Sequence, residues 1–183
     1  EVVRDDPGLS AGVTIRRATI DDFSTIRYIH SRAVTTSMAA HLSDEEANAY
    51  LAHIHSVDFV DELVTTELYV AELVGQIVGT AAWQASDDSG SIARIRDVFV
   101  DGMFLQCGIG RRLVADIESR AMQSGFTRFA IRATANSVPF FQRIGYDVAS
   151  SGVSTSPGMK ICMPVTFLRK SVSRAADAVA VSA

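Results

Sequence analysis

The chain has 183 residues, of which 48% are hydrophobic and 21% charged, with a formal net charge of −4. That length and apolar content suit one folded domain with a sizeable core and exclude a disordered chain. The acidic balance excludes a sequence-wide basic field for nucleic acid, and the two cysteines, Cys107 and Cys162, are too few for a disulfide framework.

Residues 1–12 are polar and carry Pro7, Gly8 and Gly12, the composition of a loose arm. Val13 to Arg17 reads as a short strand. Asp21 and Asp22 give an acidic helix start, and Phe23, Ile26 and Ile29 mark one apolar helical face. Ser43 and Glu46 have capping-box spacing, so a second helix is expected from there to about His55. Glu67 to Leu73 and Gln76 to Gln84 read as strands joined by a hairpin turn at Val74-Gly75. A polar loop, Ser86 to Gly90, leads to a strand over Ser91 to Val100.

The strongest helix signal is Gly108 to Ser124, where Leu113, Ile117 and Ala121 recur at spacing four and Gly125 provides the stop. A strand over Arg128 to Ala133, a short helix over Ser137 to Ile144, and strands from Tyr146 and over Met159 to Leu168 follow. Residues 169–183 read as a weakly structured tail. The order β-α-α-β-β-β-α-β-α-β-β predicts a mixed α/β (α+β) domain over 13–168. It has one central sheet of about seven strands, flanked by about four helices, with parallel pairing across the 91–133 unit. No stretch is long and apolar enough to span a membrane, and no leader pattern is visible, so a reducing, cytoplasmic setting is expected.

The segment that carries chemistry runs from Val98 to Arg112. A strand ends, a loop turns, and a helix opens on Gly108-Ile109-Gly110. Unpaired N–H groups and the positive end of the helix dipole suit an anion there, and Arg111 and Arg112 add charge. Gly110-Arg111-Arg112 lacks the Lys-Ser/Thr of a nucleotide triphosphatase loop, and Leu113 replaces the third glycine of a dinucleotide fingerprint. The glycines alone fit equally well a tight turn before a packed helix.

Leu105 to Gly110 resembles the acyl-CoA-binding segment of the GNAT superfamily of N-acetyltransferases, Arg/Gln-x-x-Gly-x-Gly/Ala. Leu105 stands where that pattern has Arg or Gln. Ile15 to Thr19, Val70 to Gly79 and Ala133 to Tyr146 resemble the family's opening strand, second and third strands, and fifth strand with fourth helix. The resemblance covers about residues 13–168 with the elements in order. It implies an acetyl-CoA-dependent N-acyltransferase without a metal, acting on a small-molecule or peptide amine and commonly dimeric. It further implies that Val98, Phe99 and Val100 hold the pantetheine arm and that Gln106, Cys107, Gly108, Ile109, Gly110 and Arg111 hold the pyrophosphate. Asn136, Phe140 and Phe141 would lie near the arm.

The family's frequent strand Glu falls near Arg94 and its frequent helix Tyr at Phe141, so substitutes are needed. Asp97 is the candidate base: on an unbroken strand it shares an apolar row with Ile95 and Phe99. A bulge would instead turn it to solvent or to an arginine. Tyr146 is the candidate acid, with a buried structural aromatic as its alternative. His30, His41, His53 and His55 show no metal-ligand spacing and read as surface or capping residues, with Tyr28 and His30 near the acceptor side. Arg94 and Arg96 suit an acidic acceptor or a solvated strand face, while the acidic net charge favours cationic or neutral acceptors. An acyl-CoA-binding regulatory module and a ligand-free interaction domain are the competing readings.

Overall fold

A computed structural model describes residues 10–86, 91–155 and 162–172. Strand β1 (Thr14–Arg17) is followed by helices α1 (Phe23–Thr35), α2 (Asp44–Ile54) and α3 (Val57–Thr65). Strands β2 (Glu67–Leu73), β3 (Gln76–Ala85) and β4 (Ile92–Val100) lead to α4 (Ile109–Gln123) and β5 (Arg128–Ala133). Helix α5 (Val138–Arg143) and strands β6 (Asp147–Ser154) and β7 (Met163–Ser171) complete the described chain.

One seven-stranded sheet has the order β1-β2-β3-β4-β5-β7-β6. Among the described residues only β4 and β5 pair in parallel, as the α4 crossover between them requires. The period-two alternation of β4 and β5 buries Ala93, Ile95, Phe129 and Ile131 against Leu113, Val114 and Ile117 of α4. On the opposite sheet face Ile26, Val34, Ile54, Phe59 and Leu63 of the three N-terminal helices pack on Leu68, Val70 and Ala82. The site lies at the β4–β5 seam between these two cores.

Two turn signals are realised as expected. Ser43 caps α2, its hydroxyl accepting from the Glu46 amide while the Ser43 amide donates to the Glu46 carboxylate at 2.8 Å. Val74 and Gly75 both have positive φ, 49° and 76°, as a two-residue hairpin with primed geometry demands.

Helix α3 was not expected: Ser56 starts it, its hydroxyl accepting from the Phe59 amide. Strand β7 runs on to Ser171, so residues 169–171, expected in the tail, are sheet. Residues 173–183 of that tail, residues 1–9 of the arm, residues 87–90 of the polar loop and 159–161 of the last strand lie outside the described residues.

Candidate active site

The β4–β5 ladder pairs Ile92 with Arg128 through Ile95 with Ile131 and then ends, although β4 continues to Val100 and β5 to Ala133. Past that point β5 stays with β7 while the edge of β4 is left without a β5 partner. The two strands part, and the gap opens a cleft of about 1060 Å³. Val98, Phe99, Val100, Gln106, Gly108, Gly110, Arg111, Asn136, Phe140 and Phe141 all line it, as does Asp97.

The start of α4 closes one end of the cleft. Gly108 is its N-cap at φ 76°, a conformation that costs a side-chain-bearing residue roughly 1–2 kcal/mol. The first bond of the helix ladder runs from the Arg112 amide to the Gly108 carbonyl, so the amides just before it face outward. A Cβ at Gly110 would stand 3.3 Å from the Phe140 ring and 3.5 Å from Val100 Cγ2, so this glycine keeps the gap between β4 and α5 open.

Cys107 and Ile109 are buried, 2% and 1% exposed, and point their side chains into the core, so only their backbone borders the loop. Arg112 also departs from expectation: its guanidinium donates to the Ser10 carbonyl, whereas Arg111 lines the cleft. Thr134 donates to Asn136 Oδ1 at 2.7 Å, which leaves the Asn136 amide nitrogen for a ligand.

Asp97 does not sit on an unbroken strand. Thr80 faces Phe99 and Ala82 faces Arg96, so Asp97 and Val98 together oppose Ala81 in a bulge, with Asp97 at φ 54°. The shared row with Ile95 and Phe99 is therefore lost. The Asp97 carboxylate instead accepts from Arg96 Nε at 2.8 Å, and its other oxygen has no hydrogen-bond partner among the described residues.

Arg96 also donates to Glu62 Oε2 at 2.8 Å and to Gln84 Oε1 at 3.3 Å. Burial alone would lower the Arg96 pKa, but Asp97 and Glu62 outweigh it and raise the group above its ordinary value. Burial pushes Glu62 up; the His53 and Arg96 contacts prevail and hold it below the usual carboxylate range.

The bulge has a buried support. Thr80 donates its hydroxyl proton to the Asp97 carbonyl at 2.8 Å, so His30 Nε2, 2.9 Å away, must donate to Thr80. His30 is 1% exposed and its ring lies 4.0 Å from that of Phe99. His30 is thus a core residue rather than a surface or capping one, as is His53 at 5% exposed.

Burial, with Arg96 nearby, lowers the His30 pKa to about 4 despite the opposing pull of Asp97. The unfolded chain protonates near pH 6.5, so the folded state binds fewer protons between those values, and stability falls as pH drops from about 6.5 towards 4. Denaturant titrations at pH 7.5 and pH 5 are expected to show a loss of roughly 2 kcal/mol from this group, absent in His30→Gln. An equal pH response in the two chains would contradict it.

Tyr146 is corrected too. It is 1% exposed, and its hydroxyl donates at 2.7 Å to Glu118, which also takes Lys170 Nζ at 2.8 Å. That hydroxyl is committed to the core beside α4, and burial and Glu118 raise its pKa far above the phenol range. Tyr146→Phe is expected to lose about 1–3 kcal/mol of stability while kcat is kept. A kcat loss without a stability loss would return Tyr146 to the chemistry.

Sequence reading missed Tyr50 of α2. It lines the same cleft. Burial, then Asp97 and Glu62 against Arg96, raises its pKa, so it stays protonated at neutral pH. No local motif marks it, because its place depends on how α2 lies over β4.

Parted parallel strands with a glycine-opened helix at the mouth of the gap define the acyl-CoA N-acyltransferase fold. The family model of the Acetyltransferase (GNAT) domain matches residues 38–156. On that match the chain belongs to the GNAT acetyltransferases, a family of acyltransferases. It is 23% identical over 87 residues to a glucosamine 6-phosphate N-acetyltransferase of Trypanosoma brucei brucei, covering 45% of this chain and 59% of that protein. It is 26% identical over 134 residues to the uncharacterized N-acetyltransferase YafP of Escherichia coli K12, covering 73% of this chain and 81% of that one.

A GCN5-related N-acetyltransferase structure from Rhodopseudomonas palustris superposes with a TM-score of 0.76 at 20% identity, covering 87% of this chain and 95% of that one. The PaiA N-acetyltransferase of Thermoplasma acidophilum, in complex with coenzyme A, gives 0.72 at 14% identity, covering 87% and 99%. Among the described residues no helix is long and apolar enough to cross a membrane.

Proposed function

We propose that the chain transfers an acetyl group from acetyl-CoA to an amine by direct attack on the thioester. The observation that carries this reading is the end of the β4–β5 ladder at Ile95 and Ile131, with the start of α4 at the mouth of the gap. The dimensions and lining suit an extended arm ending in a pyrophosphate. The apolar walls Phe99, Phe140 and Phe141 would flank the arm, and Asn136 would bond it. The outward amides around Gly108 to Arg111, with the Arg111 side chain, would hold the phosphates.

In the reaction a C–N bond forms at the thioester carbonyl and the C–S bond breaks, giving an amide and the CoA thiol. The β4 edge at Val98 would donate to the carbonyl oxygen as charge develops there. One Asp97 oxygen is taken by Arg96, so the other would receive the ammonium form of the acceptor and take its proton, directly or through one water. Tyr50, protonated and facing the cleft, would give a proton to the departing thiolate. This reading needs no metal. It fits the cytoplasm, where acetyl-CoA is supplied, and is compatible with a homodimer.

The test is release of free thiol from acetyl-CoA over a broad amine panel, with Asp97→Asn and Tyr50→Phe beside the parent chain. Turnover that drops about 100-fold in either variant supports the assigned roles. Undiminished turnover in both variants moves the proton chemistry elsewhere. A second reading, a CoA-binding regulatory module, is favoured by Leu105, Arg94 and Phe141 at the family's polar positions; it requires CoA binding with no thiol release from any amine.

A further inference from the structure

Beyond Asp97, on the same sheet face, stand two arginines without a paired carboxylate among the described residues: Arg132, which lines the cleft, and Arg94, its neighbour on the sheet outside that lining. Ala93 and Ile95 of β4 and Phe129, Ile131 and Ala133 of β5 are buried against α4. By alternation Arg94, Arg96 and Arg132 project from the opposite face. Arg94 lies opposite Ala130 in the ladder, and Arg132 follows two residues later, so the three guanidiniums spring from one small area of sheet.

Their partners differ. Arg96 is saturated by Glu62, Asp97 and Gln84. Arg132 lines the cleft, lies 5.9 Å over the Phe167 ring, and donates to Ser154 Oγ at 3.0 Å. That contact steadies its planar fork and leaves further N–H groups unused. Neither Arg94 nor Arg132 has a carboxylate within ion-pair distance among the described residues. Three cations therefore face two carboxylates, both of them already on Arg96. Arg94 is half-buried, a setting in which a cation is normally paired. Burial and the neighbouring Arg96 and Arg132 depress its pKa despite the opposing pull of Asp97 and Glu62, a cost that a nearby bound anion would relieve.

We infer that the acceptor amine carries an anionic group, a carboxylate or a phosphate, which Arg132 receives at the cleft wall, with the charge of the neighbouring Arg94 adding to the attraction, while Asp97 receives the amine. The inference rests on the acyl-transfer reading and adds its substrate class. One strand spacing and two residue steps separate the two recognition points, on the order of 5–8 Å. The anion is therefore several bonds from the nitrogen. The overall charge of −4 argued for cationic or neutral acceptors; the local arrangement reverses that expectation, because at ordinary ionic strength a field is felt over only about 8–10 Å.

The experiment compares matched acceptors by thiol release: γ-aminobutyrate against butylamine, O-phosphoethanolamine against ethanolamine, and glucosamine 6-phosphate against glucosamine. The anionic member of at least one pair is expected to have kcat/KM about tenfold or more above its neutral mate, through KM. The first pair reports a carboxylate site and the other two a phosphate site. In Arg132→Gln that ratio should fall towards one, and Arg132→Lys should restore part of it.

A preference for the uncharged amines, or a ratio unmoved by Arg132→Gln, overturns the inference while leaving acyl transfer standing. If no amine releases thiol, acyl transfer fails instead. Calorimetric titration of inorganic phosphate into the chain and into Arg94→Gln/Arg132→Gln then decides: one fewer phosphate bound in the double variant upholds the anion site, and identical titrations refute it.

Discussion

Arg96→Gln is expected to unfold about 3 kcal/mol more easily than the parent chain, the largest stability change at this site. The guanidinium is 17% exposed and its partners Asp97 and Glu62 are each 15% exposed, so the ion pairs are shielded from water. Glutamine keeps some hydrogen bonding but removes the charge, leaving two carboxylates close together with no cation between them. That residual repulsion, rather than the lost contacts, dominates the cost. Two further results follow. The deficit should shrink as pH falls, because protonation of either carboxylate relieves the repulsion. It should shrink also in Arg96→Gln/Glu62→Gln, which removes one of the two charges. Denaturant titration checks all three; a loss below about 1 kcal/mol, the size of a surface pair, would show that the network is solvated.

Gly110→Val is expected to weaken acetyl-CoA binding about 100-fold or more with the fold retained. The added side chain would enter the gap between Val100 and Phe140, where a Cβ alone already meets the ring at 3.3 Å. Two or three charge-assisted hydrogen bonds to the phosphates, at roughly 1.5–3 kcal/mol each, would be stretched or lost. Gly110→Ala should show a smaller effect, about tenfold, since the Phe140 ring needs to give way by only a few tenths of an ångström. Calorimetry with acetyl-CoA and far-ultraviolet circular dichroism separate binding from folding. Parent-like affinity in Gly110→Val would move the phosphates away from this loop.

Much of the architecture was legible because it is written locally. The apolar rows of β2 to β5, the Ser43–Glu46 cap and the Leu113-Ile117-Ala121 stripe each follow from near neighbours in the chain. Helix α3 escaped notice because it begins directly after α2, with only His55 and Ser56 between, and buries just Phe59 and Leu63. The site was legible as a segment and not as a mechanism. Ile95-Asp97-Phe99 alternates as an unbroken strand would, and the bulge that diverts Asp97 is held by Thr80 and His30, 17 and 67 positions away in the chain. Tyr146 met Glu118 across 28 residues, and Arg132 joined Arg94 only through the β4–β5 ladder. Side-chain partners across strands set this arrangement, and no periodicity encodes them.

The most direct test is the thermal midpoint of the chain with acetyl-CoA, CoA, ATP and NADH, each at the same concentration far above micromolar. A ligand at 100 times its dissociation constant adds about 2.7 kcal/mol, enough to raise the midpoint by several degrees. The proposed function predicts such a rise with acetyl-CoA and CoA and none of that size with ATP or NADH. An unmoved midpoint with both CoA species would contradict it and leave Gly108-Ile109-Gly110 as a turn before a packed helix.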